Sequence, residues 1–339
     1  MGVNNIVQSV NEGISYIFET HKNDIITLSY SGGKDSTLLL VLVSKFLTQH
    51  RKKFKDTFVY FIYSDTGVEI PEIREFPVRI LKETERFFKS LNMKVYARIV
   101  KPSPQNNFFI KMLMGYPMPH IRFRWCTRVL KTKPIDDFIK KLKIRHKGKK
   151  IVKIIGVRAE ESQSRRSKRG VYETSFFEIK NKEVPIYAPI YNLTSNQVWK
   201  ILEEMINKVP FWSKKEFSYL RRIYGKKMTI RHGCWICPLI SLKSGDKALR
   251  ELAESLNERY LLELEKIKKE LIEISFNKEN RTIDEKTKKP RSLNEKGKKE
   301  IIKLIEKMRK SPKLKKALYG LLEDEEVLKL YLKIKKRLC

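Results

Sequence analysis

Cysteine is scarce: four residues in 339, Cys126, Cys234, Cys237 and Cys339. So few do not make a disulfide scaffold, and the question they pose is one of metal or sulfur chemistry. No apolar run approaches the length of a membrane span. The opening residues Met1-Gly2-Val3-Asn4-Asn5 lack a basic-then-apolar leader, and Ile6 stands where N-myristoylation of Gly2 needs Ser or Thr. Together these absences predict a soluble, cytoplasmic chain with no membrane partner. No period of solenoid length recurs. Acidic residues are also short, 39 against 73 Lys plus Arg, a net charge of +34. A Lys/Glu/Ile-rich thermophilic surface would balance its signs. This one does not, which predicts a polyanionic partner, a nucleic acid, either DNA or tRNA.

What is present begins with Tyr30-Ser31-Gly32-Gly33-Lys34-Asp35-Ser36-Thr37, set between the apolar runs Ile25–Leu28 and Leu38–Val43. The pattern predicts a strand, a glycine turn and the start of a buried helix. Adjacent glycines let backbone approach a phosphate, and the N–H groups of a first helical turn attract anions. Ser31, Ser36 and Thr37 add hydroxyls, Lys34 adds a charge, and Asp35 either holds Mg²⁺ or orients the loop. It is not the P-loop of ordinary ATPases, whose glycines are four residues apart. A glycine turn that merely ends a strand is the plainer alternative. Five matched positions favour a pyrophosphate cradle.

Strand-like runs at Phe58–Tyr63, Val95–Val100, Ile151–Val157 and Pro185–Ile190 alternate with helical segments opened by Pro71 and Pro134. The alternation predicts an α/β fold, a doubly wound, mostly parallel five-stranded sheet with an α-helical C-terminal region. Ligands of such sheets bind beyond the carboxyl ends of the strands, where Ser31–Ser36, Asp65-Thr66-Gly67 and Gly156-Val157-Arg158 all fall. The expected division is a nucleotide-binding α/β domain over 1–192, a helical segment with the cysteine pair over 193–242, and a basic helical region over 243–339. Thr194 or Ser195 is expected to cap a helix, residues 277–294 to form an exposed loop, and residues 314–338 a helix.

Cys234-Trp235-Ile236-Cys237-Pro238 has a spacing suited to iron–sulfur, zinc or a redox dithiol, with inert core cysteines as the plain reading. Cys126, in Arg124-Trp125-Cys126-Thr127-Arg128, would supply a third thiolate, and His232 or Cys339 a fourth zinc ligand. Basic stretches at 140–153, 165–169 and 214–231 carry interleaved Phe217, Tyr219 and Tyr224, suited to stacking on unpaired bases or to an ordinary core.

Ser31–Ser36, Asp65-Thr66-Gly67 with Pro71-Glu72, Gly156-Val157-Arg158-Ala159-Glu160-Glu161-Ser162 with Arg165, and Pro189-Ile190 before Gln197-Val198-Trp199 together resemble the phosphoadenosine-phosphosulfate (PAPS) reductase family of the PP-loop ATP pyrophosphatases, over residues 20 to 240. The Glu-Cys-Gly motif of true PAPS reductases is missing, and the two cysteine segments look more like the DndC/SspD-type branch, linked to DNA phosphorothioation and an iron–sulfur cluster. The resemblance implies an adenine nucleotide alpha hydrolase-like fold and an adenylating sulfurtransferase using ATP and Mg²⁺. It implies catalytic roles for Lys34, Asp35, Ser36, Arg158 and Arg165. Nucleotide contacts would come from Ser31, Gly32, Gly33, Ser36, Asp65, Thr66, Gly67, Gly156 and Arg158. A [4Fe-4S] cluster, or zinc, would sit on Cys126, Cys234 and Cys237, with sulfur from a cysteine desulfurase or free sulfide.

Overall fold

A computed structural model of the chain describes residues 3–161, 178–179, 184–225, 233–237 and 246–339. They form two compact units that interleave along the chain. The first comprises 1–63, 75–100 and 137–221, the second 64–74, 101–136 and 222–339.

The first unit is built on a sheet. Its strands are β1 (Ile25–Tyr30), β2 (Phe58–Ser64), β3 (Val95–Val100), β4 (Ile151–Ile155), β5 (Glu178–Ile179) and β6 (Ile186–Tyr187), in the order β3-β2-β1-β4-β6-β5. β1 runs parallel to β2 and to β4, with Tyr30 opposite Tyr63 and Ser29 opposite Ile155. Their carboxyl ends are therefore level. β4 is parallel to β6, and the two-residue β5 adds an antiparallel edge. The expected five-stranded parallel sheet with flanking helices is present, extended by β5 as a sixth strand. β1 is central because Ile25, Ile26 and Leu28 are all fully buried, as a strand covered on both faces requires.

Helix α1 (Val3–Thr20) buries Ile6, Val10, Ile14 and Ile17, the three-to-four spacing of an amphipathic helix. Helix α2 (Lys34–Gln49) is different: Lys34 to Ser44 are buried without a break, so it presents no solvent face over three turns. Helix α3 (Pro71–Ser90) opens on proline as expected and carries Pro77 inside it. Further along are α4 (Phe108–Leu113), α5 (Lys133–Arg145), α6 (Ser195–Glu204) and α7 (Lys214–Tyr224). Thr194 caps α6 through a reciprocal box with Gln197, the first of the two capping residues expected.

The C-terminal part is mostly helical: α8 (Lys247–Leu256), α9 (Tyr260–Phe276), α10 (Glu295–Lys310), α11 (Pro312–Lys316), α12 (Tyr319–Leu322) and α13 (Glu325–Leu338). Two expectations are corrected here. Residues 277–294 are not simply loop, since β7 (Arg281–Ile283) and β8 (Pro290–Leu293) pair as an antiparallel hairpin. The strands are short and mostly exposed, with only Leu293 buried, so they carry no apolar alternation. Residues 314–338 are not one helix either. Ser311 and Asp324 each cap a new start, and Gly320 lies in the short turn of helix between them. No helix among the described residues is long and apolar enough to cross a membrane.

Candidate functional site

In the first unit the chain leaves β1 at Tyr30 and enters α2 at Lys34, with Gly32 turning at φ +69° against Pro77. The loop is closed by hydroxyls. Ser36 Oγ donates to the Gly33 carbonyl at 3.1 Å, meets Ser31 Oγ at 3.0 Å and accepts the Ser31 N–H at 3.1 Å. Gly33, the N-cap of α2, has no side-chain cap. The first-turn N–H groups thus keep the anion-attracting end of the helix dipole.

Gly156 explains why β4 can end against this loop. A Cβ there would lie 3.0 Å from Ser36 N and 3.1 Å from the Asp35 carbonyl carbon, so only glycine admits that approach. Two residues on, Arg158 is 4% exposed and reaches back into the loop. Its Nε donates to Asp35 Oδ1 at 2.6 Å, and its Nη1 donates to Glu160 Oε2 at 2.6 Å and to the Leu193 carbonyl at 3.2 Å. Lys34 Nζ donates to the other Asp35 oxygen at 2.9 Å. Each Asp35 oxygen therefore engages a cation, which favours the orienting role. Burial pushes the Lys34 ammonium below its ordinary range although Asp35 pulls it back up. A charge held at such cost gains from an incoming anion.

Ser31, Gly32, Gly33, Lys34, Asp35, Ser36, Gly156 and Arg158 are thus gathered in the first unit. Arg165 lies outside the described residues, as do Ser162 and His232. Glu160, which the sequence marks only as part of the strand-end motif, anchors Arg158 and accepts the Ser195 N–H at 2.8 Å.

The second unit holds Asp65, Thr66 and Gly67 together with the cysteines. Asp65 is 1% exposed. Its Oδ1 accepts from Gly67 N at 3.1 Å and from the Tyr319 hydroxyl at 2.7 Å, and its Oδ2 accepts from Arg74 Nε at 2.8 Å. The Arg74 guanidinium also stacks over the Tyr319 ring at 4.3 Å. Gly67 and Gly320 meet backbone to backbone: a Cβ on Gly320 would fall 2.4 Å from Gly67 Cα. Asn107 Nδ2 closes the contact by donating to the Gly320 carbonyl at 2.9 Å. Tyr319 and Gly320 are the residues that sequence reasoning missed. Tyr319 is 254 positions from its partner, so no local pattern signals the bond.

Cys234 reaches this turn through backbone pairing. Ile70 N donates to the Gly233 carbonyl at 3.1 Å and Trp235 N to the Val68 carbonyl at 3.1 Å. That register sets Cys234 Sγ 3.3 Å from Thr66 Oγ1. Cys126 stands at the head of a wide-turn helical segment, Thr127–Thr132, after Trp125, which stacks on Phe108 and donates to the Pro117 carbonyl. Such π-type turns recur at functional positions. Burial pushes the Cys234 thiol up to about 11 and raises Cys126, while nearby Lys131 opposes both shifts. Cys237 adds a smaller upward push to each of them. Among the described residues no group of three or more His, Cys, Asp or Glu is drawn together as a metal site. Cys126, Cys234 and Cys237 share the second unit without being brought together as such a site, and thiolates are the donor type that suits iron–sulfur or zinc. Cys339 is exposed at the end of α13.

The model of the phosphoadenosine phosphosulfate reductase domain matches residues 25–240, which takes in both the loop and the cysteine pair. The chain belongs to that family. Two Methanocaldococcus jannaschii proteins, MJ0066 and MJ0973, both uncharacterised, are similar. MJ0066 is 26% identical over 67% of this chain and 38% of its own length. MJ0973 is 28% identical over 64% of this chain and 42% of its own. The match thus spans less than half the length of either relative. Two solved structures align loosely. The phosphoadenylyl-sulfate reductase of Candida auris aligns with a TM-score of 0.39 at 14% identity, over 62% of this chain and 87% of that one. The U34-tRNA thiolase NcsA of Methanococcus maripaludis, solved with its [4Fe-4S] cluster, aligns with a TM-score of 0.38 at 12% identity, over 80% of each chain. Neither superposition is close enough to argue from.

Proposed function

We propose that this PAPS reductase-family chain is an ATP-dependent sulfurtransferase that adenylates a nucleic acid, as DNA phosphorothioation or tRNA thiolation requires. The observation that carries the reading is the first-unit loop. Ser31, Gly32, Gly33, Lys34 and Ser36 form an uncapped helix start, and Arg158 is locked beside it through Asp35 and Glu160. That arrangement suits a doubly charged leaving group.

In the proposed reaction a nucleic-acid oxygen attacks the α-phosphorus of ATP. The bond from that phosphorus to the bridging oxygen breaks, and pyrophosphate leaves into the loop with the Mg²⁺ that accompanies the nucleotide. Lys34 and Arg158 offset the charge that grows on it, in a setting where water is largely excluded and each charge counts for more. A sulfide then attacks the atom bearing the activated oxygen, and AMP departs with that oxygen. Asp65, Thr66 and Gly67 would line the nucleotide pocket. Cys126, Cys234 and Cys237 would hold a cluster, which would supply a binding site for sulfide. The +34 charge supports a polyanionic substrate.

The test is pyrophosphate release from ATP by the full chain, with tRNA, with duplex DNA and with PAPS offered separately. Release should require a nucleic acid and fall by about 100-fold or more in Ser36→Ala and Asp35→Ala. Unchanged release in those variants would sink the mechanism. Reduction of PAPS with no need of nucleic acid would move the chain to the small-molecule branch, with Cys339 as its nucleophile.

A further inference from the structure

The C-terminal helices fall outside residues 25–240, the span of the family model, and apart from the contact of Tyr319 and Gly320 with the Asp65 turn the proposed chemistry gives them no task. Helix α10 buries Ile301, Ile302, Leu304, Ile305 and Met308. At about 100° per residue, Lys296, Lys299, Lys303, Lys307 and Lys310 fall within an arc of roughly 80° on the opposite side. All five are exposed. The stripe covers about 21 Å of helix axis. Lys296 and Lys307 reach Glu279 and Glu270 at the surface. Lys299, Lys303 and Lys310 have no ion-pair partner among the described residues.

Helix α13 repeats the design. It buries Val327 and Tyr331 and, beyond exposed Glu325 and Glu326 and the Lys329 that pairs with Glu325, exposes Lys333, Lys336 and Arg337 on the far side. The two helices are fastened at Glu306, which accepts from the Tyr331 hydroxyl at 2.6 Å and pairs with Lys335 at 3.1 Å. A cleft of about 720 Å³ runs between them, lined in part by Lys303, Lys310 and Lys335. Three more exposed lysines on α11, Lys313, Lys315 and Lys316, extend the charge past the end of α10.

A solvated helix face is the plain explanation, and it fails on one point. Helix dipoles favour cations in the last turn and disfavour them in the first. That accounts for Lys335, Lys336 and Arg337, but α10 also exposes Lys296 and Lys299 in its opening turns, Lys296 paired with Glu279 and Lys299 with no ion-pair partner among the described residues. Positive charge placed where the helix itself disfavours it, and continued along one exposed side by Lys303 and Lys310, gains from an external anion.

We infer that the exposed side of α10, α11 and α13 is a docking surface for the phosphate backbone of the nucleic acid. It contacts phosphates without reading sequence. The inference rests on the nucleic-acid substrate of the proposed function and adds where that substrate is held. Lysines spread over about 21 Å suit a repeating polyanion better than a single small anion.

The experiment is fluorescence anisotropy of labelled tRNA transcript and of labelled duplex DNA with the full chain across a salt series. The variants are the triple Lys299→Gln, Lys303→Gln, Lys310→Gln and its charge-keeping counterpart with Arg at all three positions. Removing one lysine–phosphate pairing lowers the slope of log affinity against log salt by about 0.9 for duplex and about 0.7 for single strands. The Gln triple should therefore drop roughly 2 to 3 units of slope on the preferred substrate, and the Arg triple should keep it. ATP binding without nucleic acid should be the same in all three proteins. A wild-type slope in the Gln triple overturns this surface while leaving the substrate reading intact. Wild-type protein that binds neither nucleic acid overturns both. So does binding to phosphatidylserine vesicles through the same lysines in place of nucleic acid.

Discussion

The Asp246–Lys268 pair of the second unit and the Lys34–Asp35–Arg158 chain of the first are both withdrawn from water, yet their surroundings differ. Asp246 and Lys268 are each 0% exposed, 3.1 Å apart. Asp246 caps α8 by accepting the Leu249 N–H, and its own N–H goes to Glu265, which Arg250 grips with two N–H groups. Every charge there faces an element of its own unit. In the first unit the charges surround an uncapped helix start, and burial holds Lys34 below its usual range. Buried charge alone therefore does not mark a site. A site is marked by charge that its own neighbours leave under-compensated beside open N–H donors.

The largest effect should come from breaking the satisfied pair. Lys268→Ala leaves Asp246 buried without its cation and should cost about 3–5 kcal/mol, read as a fall in the denaturant midpoint. The double variant Lys268→Met with Asp246→Leu should recover most of that deficit, because a buried pair can often be exchanged for packing. ATP affinity of the folded protein should stay as in the wild type for both. Failure to bind ATP in a stably folded Lys268→Ala would erase the contrast between the two groups.

Next in size is the contact that ties α12 to the Asp65 turn. In Gly320→Ala the new methyl meets Gly67 Cα at 2.4 Å, a backbone atom that cannot swing aside. Overpacking of this kind costs about 1–3 kcal/mol. Tyr319→Phe, which removes the hydroxyl from Asp65 and adds no bulk, separates the effect of that hydrogen bond from the effect of packing. If Gly320→Ala melts like the wild type, the backbone contact does not pin the turn and Asp65 owes its position to its hydrogen bonds with Gly67, Tyr319 and Arg74.

The first unit was largely legible in the sequence because its signals are local. An apolar β-branched run, adjacent glycines and a helix with no polar face identify β1, the loop and α2 within a few residues of one another. Gly156 and Arg158 were recognisable as a strand-end turn, though the reason for Gly156, its approach to Ser36, required the fold. The second unit was less legible. Tyr319 finds Asp65 across 254 positions, and the Cys234 register is set by two bonds to Val68 and Ile70 that no spacing encodes. The hairpin of β7 and β8 escaped because its three- and four-residue strands bury only Leu293 and so lack the alternation that marks a half-buried strand.

The smallest effect tests the under-compensated side of the comparison through pH. Lys34 has its ammonium disfavoured by burial, with Asp35 opposing and Arg158 adding to the depression. A base with a lowered value loses its proton earlier as pH rises. Its charge is lost at a lower pH than the ordinary lysine value of 10.5. A bound phosphate favours the charged form and raises the value again, so affinity for ATP should fall as pH climbs from the free-protein value to the bound one. The decline is limited to about tenfold per pH unit, 1.4 kcal/mol. Lys34→Arg keeps its charge throughout and should bind with a flat profile over the same range. Titration of ATP affinity by calorimetry in both proteins decides the matter. A wild-type profile as flat as that of Lys34→Arg would mean that Lys34 is already compensated by Asp35, and the two buried groups would then be alike.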